Sequence, residues 1–200
     1  MVPLRVEAQT AAKAPATVAQ AAMFEARDVV QERFVLVAAP IGKGERAQLN
    51  IYEQLNNRRP CYATAGAAPA QVNPLLGTFD FTGICNRYID GNGYSLRVGG
   101  TDLATVYRLS VVRLPNDTLL MASPTKSNPG PEMVVARTQG PGAGFLLLVP
   151  EPGWKVMRRH YGTRALGHVY VYRDSWPSDA VTQQPPAPPI PPANPAKPPS

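Results

Sequence analysis

The chain has 200 residues, 44% of them hydrophobic, and a formal charge of +6 carried mainly by arginine. That length suits one domain with tails, and the apolar content is ordinary for a chain that folds around a core. No stretch approaches the ~18 apolar residues of a membrane-spanning helix, and the small positive excess reads as a solvated, salt-bridged surface, with a specific polyanion site as the narrower alternative.

The first residues, MVPLRVEAQTAAKAPATVAQAAMF, contain the small-residue pattern Ala19-Gln20-Ala21 that a signal peptidase accepts. Arg5, Glu7, Gln9 and Lys13 interrupt every apolar run ahead of it, so residues 1–22 read as a disordered leader or as the remnant of an export signal that starts further upstream. Residues 23–177 form the single β-rich domain, and residues 178–200 are a proline-rich tail. From Val181 that tail should lie extended as polyproline II, at ~3.1 Å per residue, because its prolines lack the N–H that helices and sheets require.

Within the domain the first expected element is a short helix over Ala22–Gln31. Phe34–Ala39 (FVLVAA) is an apolar strand closed by Pro40, and Gln48–Leu55 alternates as its partner across the loop IGKGER. Asn73 before Pro74 is a cap for a second short helical turn. Cys85–Leu103 contains Asp90-Gly91 and Asn92-Gly93 between two alternating runs, which predicts a hairpin apex with positive φ at the glycines. Thr105–Leu114 and Thr118–Ser123 form a hairpin across Pro115, Asn116 and Asp117. Glu132–Thr138, Gly144–Val149, Trp154–Tyr161 and His168–Asp174 follow at short intervals. The fold class is therefore mainly β, an antiparallel β-sandwich or barrel with one or two short helices.

The two cysteines, Cys61 and Cys85, match no zinc spacing. A disulfide is the leading reading, worth about 3 kcal/mol through loop closure. The alternatives are two unrelated buried thiols in a reducing compartment, or a reactive Cys85 with His160 or His168 as its base; a thiol count separates them. The nucleophile elbow, the H-E-x-x-H pair, the phosphate loop and the dinucleotide turn are all absent. Gly140–Gly144 leads into a strand and not a helix, so it reads as a connection.

Three residue sets are candidate sites. If the last two strands pair across GTRAL, then Arg158, Arg159, His160, Arg164 and His168 make one end strongly basic, which is an anion-binding pattern. Asp90, Asn92 and Asp102 are candidate metal or polar ligands. The EF-hand template fails there, because its fifth, sixth and twelfth positions would be Tyr94, Ser95 and Thr101, which leaves a calcium site of another kind as the only cofactor reading. Asp80, Asp90 and Asp102 are the carboxylates on which a glycan-active hydrolase would be built.

The segments RRPCYA, NPLLGTFDFTGICNRYIDGNGYSLRVGG, PGW and LGHVYVY resemble a domain of unknown function found in secreted and envelope proteins of cyanobacteria, over about Phe24 to Asp174. The resemblance implies an exported β domain with Cys61 and Cys85 paired, in some relatives joined to modules that anchor proteins at the cell surface; here the proline-rich tail takes that position. It implies location and no activity. The expectation is a non-enzymatic, disulfide-stapled domain of the periplasm or cell surface. Its partner would be a cell-wall or other anionic envelope polymer, or another envelope protein. A nucleic-acid partner is not expected, because the aromatics form no stacking motif.

Overall fold

A computed structural model describes residues 23–125 and 130–177, so the leader and the proline-rich tail lie outside the described residues. The chain runs through β1 (Glu25–Asp28), a 3-10 turn (Gln31–Arg33), β2 (Phe34–Ile41), β3 (Arg46–Gln54), β4 (Ala63–Ala65) and β5 (Gln71–Asn73). After a second 3-10 turn (Leu76–Thr78) come β6 (Cys85–Tyr88), β7 (Tyr94–Val98), β8 (Thr101–Asp102), β9 (Tyr107–Arg113) and β10 (Thr118–Pro124). β11 (Met133–Arg137), β12 (Leu146–Pro150), β13 (Trp154–Tyr161) and β14 (Arg164–Arg173) complete it. The larger sheet has the order β6-β3-β2-β12-β11-β10-β9, with β5 also on β12 and β4 on β5. The smaller has the order β1-β13-β14-β7-β8. β9 returns against β3 and β7, so the large sheet curls and the two sheets enclose a common core. The fold is mainly β, a sandwich curling towards a barrel. Among the described residues no helix is long and apolar enough to cross a membrane.

Phe34, Leu36 and Ala38 of β2 meet Leu49, Ile51, Leu96, Val98, Val169 and Val171 in the main core. Each fully buried side chain of this kind contributes roughly 1.5–3 kcal/mol. The alternate β2 residues Val35 and Val37 are also buried, in a second cluster with Tyr52 and Val72. Burial on both faces explains why FVLVAA is continuously apolar where a half-exposed strand would alternate. The cover over that outer face is the segment between β3 and β6, which contributes Tyr62, Val72 and Phe79. The Cys61–Cys85 disulfide, with Cα atoms 5.7 Å apart, staples the cover to the start of β6. Both cysteines are fully buried and pack with Ile84.

Three local expectations are corrected. The helix expected over Ala22–Gln31 is replaced, among the described residues 23–30, by β1, an edge strand antiparallel to β13, with Glu25 opposite His160 and Asp28 opposite Met157. Its backbone groups find ladder partners there, which outweighs a local helical preference. At Asn73 the side-chain oxygen accepts the Leu75 N–H at 3.3 Å, but Leu75 has φ 23 and only a 3-10 turn follows. The Asp90–Gly93 turn is not a hairpin. β6 pairs with β3 in the large sheet, whereas β7 pairs with β14 and β8 in the small one. The turn therefore carries the chain between sheets, and the β7–β14 pair is parallel.

Neither glycine of that turn has positive φ. Asp90 Oδ1 accepts the Asn92 N–H at 2.9 Å and the Gly93 N–H at 3.3 Å, and its carbonyl takes the Gly93 and Tyr94 N–H groups. A Cβ on Gly93 would lie 3.0 Å from the Tyr88 Cβ, while one on Gly91 would meet nothing within 4 Å. Gly93 is needed for close approach to β6, not for backbone freedom.

Candidate functional site: the outer face of the small sheet

On β7 and β14 the period of two sends Leu96, Val98, Val169 and Val171 into the core and leaves Ser95, Arg97, His168 and Tyr170 on the opposite face. Asp102 of β8 stands opposite Arg97. Arg159 joins from β13, at an irregularity in its pairing with β14. Ser95, Arg97 and His168 are each 5 or 6% exposed, and Tyr170 is fully buried.

Tyr170 is the hub. Its hydroxyl donates to Asp102 Oδ2 at 2.9 Å and accepts from Arg159 Nε at 2.6 Å and Arg97 Nη1 at 3.4 Å. Both guanidinium groups also lie on its ring, at 5.1 and 5.0 Å from the centroid. Arg159 pairs with Asp102, and the Ala104 N–H reaches the same carboxylate at 3.0 Å. Burial pushes the Asp102 carboxyl up, but the bonds from Arg159, Ala104 and Tyr170 outweigh it and hold the group below the usual carboxylate range. Arg97 donates to the Gly100 carbonyl at 3.0 Å, while its buried Nε finds no acceptor.

His168 Nδ1 lies 2.8 Å from the Asn92 carbonyl and Nε2 lies 2.9 Å from Ser95 Oγ. A carbonyl only accepts, so Nδ1 carries the proton and Nε2 accepts from the serine hydroxyl. The contact has nucleophile-to-base distance, but both residues are 6% exposed, which closes the pair to a substrate. Its effect is to tie the inter-sheet turn to β14. Desolvation holds the imidazole below its ordinary 6.5. As pH falls past 6.5 the unfolded chain takes up a proton that the folded chain still refuses, so stability is full above that pH and is lost as pH drops towards the lowered folded value. In urea titrations over this window, His168→Gln should lose less stability with acid than the wild type.

The five residues of the predicted anion site are not gathered together. Arg158 points between the sheets, where Nη2 meets Glu53 Oε1 at 2.6 Å and Nη1 donates to the Tyr88 hydroxyl at 2.6 Å. That hydroxyl donates to Glu53 Oε2 at 2.6 Å, and Asn86 donates to the same oxygen at 2.9 Å. Burial, then the bond to Glu53, pushes the Tyr88 phenol up to about 12. Arg159 and His168 lie on the outer face, where an approaching anion would have to displace Asp102 from Arg159. His160 faces Ala165 and not His168 in the β13–β14 register, and its buried Nδ1 has no partner. Arg164 is exposed at the start of β14, opposite Tyr161.

The predicted ligand set is also divided. Asp90 and Asn92 lie in the turn ahead of β7, and Asp102 faces Arg97 near its far end. Among the described residues no three His, Cys, Asp or Glu side chains gather where they could hold a metal ion. Of the hydrolase carboxylates, Asp80 is bonded to the Thr82 hydroxyl and N–H and is held low by them. With Asp102 also held low, both tend towards the ionised form, the opposite of what a proton-donating acid needs. The disulfide removes the thiol that a Cys85 nucleophile requires.

Ser95, Arg97 and Tyr170 are not among the residues the sequence marks as candidates. Their signal was the pair of alternating runs S-x-R and H-x-Y, legible only once the two strands are known to be neighbours. No curated protein and no solved structure matches the chain. A family model matches residues 4–176, and on that match the chain belongs to the DUF3747 family, described as a protein of unknown function.

Proposed function

We propose that the chain is exported and acts without catalysis, as a disulfide-stapled binding or structural domain of a cell envelope, in the periplasm or at the cell surface of a cyanobacterium. The observation that carries this reading is the Cys61–Cys85 bridge, fully buried and holding the cover over the second cluster. Structural disulfides of this kind persist in oxidising compartments and are rare in the cytosol. The resemblance of the segments around both cysteines to an exported envelope domain supports the same location. The hydrogen bonds that spend Asp80 and Asp102 support binding over hydrolysis. The arginine excess suits an anionic envelope polymer or an acidic face of another envelope protein.

Cell fractionation with a thiol titration of the denatured protein tests the location. The protein should appear in the periplasmic or surface fraction with no reactive thiol; a cytosolic protein with two thiols would overturn the proposal. Incubation with isolated envelope material tests the activity: retention without soluble fragments is expected, and released fragments would move the assignment to a glycan-active hydrolase.

A further inference from the structure

Beside the inter-sheet turn lies an open groove of about 320 Å³ whose walls include Phe81, Arg87, Ile89, Asp90, Asn92 and Gly167. It is distinct from the outer polar face, and its apolar floor is exposed: Phe81 is 58% and Ile89 40% accessible. Phe81 is nonetheless held in place. Its ring lies 4.7 Å from that of Phe79, which in turn packs 5.9 Å from the fully buried Tyr52. The stack belongs to the cover that the disulfide staples down, so the platform is anchored to the core from beneath.

Polar groups around the platform are uncommitted. The Arg87 guanidinium sits 5.8 Å from the Phe81 centroid and makes no hydrogen bond or ion pair with any described residue. The Asn92 side-chain amide is likewise without a partner among the described residues, and Asp90 spends only Oδ1 on the turn. A fixed aromatic face flanked by a guanidinium, an amide and a carboxylate matches a sugar ring, whose C–H face packs on the aromatic while its hydroxyls find donors and acceptors at the edge. The groove is open, so a chain can pass through it.

Charge narrows the class further. Arg87, on the groove wall, is in no ion pair with a described residue. The guanidinium fork is built to take a carboxylate through two parallel bonds. We propose that this groove binds an acidic polysaccharide, with a sugar ring on Phe81 and its carboxylate on Arg87. The proposal rests on the envelope reading above for where such a polymer would be met.

The test is calorimetric titration of the full chain with tetragalacturonate, its methyl ester and a hyaluronan tetrasaccharide, beside retention on envelope material. Wild-type protein should bind the two acidic probes in a salt-sensitive way, and Phe81→Ala should weaken that binding by about tenfold or more. Arg87→Gln should weaken the acids and leave the weaker affinity for the ester unchanged. The melting temperature monitors folding, and Arg87→Gln, at an exposed residue without hydrogen bonds, keeps the test valid if Phe81→Ala unfolds. No binding of either acid by the wild type, or binding untouched by Arg87→Gln, overturns the groove. If both variants are still retained by envelope material as well as the wild type, the groove is refuted and the envelope function stands; if no form is retained, that broader reading fails too.

Discussion

Replacing Glu53 by Gln is expected to destabilise the fold by about 3–5 kcal/mol, because it leaves the Arg158 charge uncompensated between the sheets. The side chains of Arg158 and Glu53 are 12% and 8% exposed, so water cannot take the place of the lost partner. The substitution keeps the volume and part of the hydrogen bonding, which isolates the charge as the cause. Strands of both sheets meet at this point: β3 supplies Glu53, β6 supplies Asn86 and Tyr88, and β13 supplies Arg158, whose guanidinium also lies over the Phe34 and Tyr88 rings. Urea unfolding is the measurement, and a loss below about 1 kcal/mol, the size expected of a surface pair, would contradict the interior assignment. The double variant Glu53→Leu with Arg158→Met should recover most of the loss, since a buried pair and an apolar pair of similar size are often close in stability.

Removing the disulfide with Cys61→Ala and Cys85→Ala is expected to cost about 3 kcal/mol through the freed loop of the unfolded chain. That is a large share of the roughly 5–15 kcal/mol that holds a typical domain together. The loss should not spread evenly. The cover between β3 and β6 has only short strands of its own, β4 and β5, and without the staple it would open first, exposing Val35, Val37 and Tyr52. Limited proteolysis should therefore cut between residues 55 and 84 before global unfolding, and the same region should be cut in reducing agent. An unchanged urea midpoint in the double variant would show that the core clusters alone hold the cover.

The hairpins β2–β3 and β9–β10 were legible because each rests on local information: apolar strands separated by turn residues within a few positions. The run FVLVAA is legible as an apolar strand, but its burial on both faces depends on the covering segment, which nothing in the run names. β1 looks helical in the sequence because its strand partner, β13, lies far along the chain and leaves no local trace. The turn at Asp90–Gly93 was correctly placed, but a turn sequence does not say whether the strands it joins share a sheet. The same limit governs the sites. Arg158 and Arg159 are adjacent in sequence and read as one basic cluster, yet they point to opposite faces of the small sheet, one to Glu53 and the other to Asp102. Phe81 looks like any core aromatic in the sequence, because its place as a platform depends on Phe79 and Tyr52 lying beneath it.

The small sheet joins the two ends of the domain. β1 is laid against β13, with Arg27 reaching the Gly162 carbonyl 135 positions away, and β7 waits for β14 to arrive in parallel. Such distant pairings are reached slowly, because chain closure is paid for before the contacts repay it. A ribosome-bound chain cannot finish this sheet until its last strands have been synthesised, and the Glu53–Arg158 pair that joins the sheets waits for β13 as well. On the proposed export route that delay would have a use: the polypeptide would stay threadable while its synthesis lasts, and would close where its two cysteines can join.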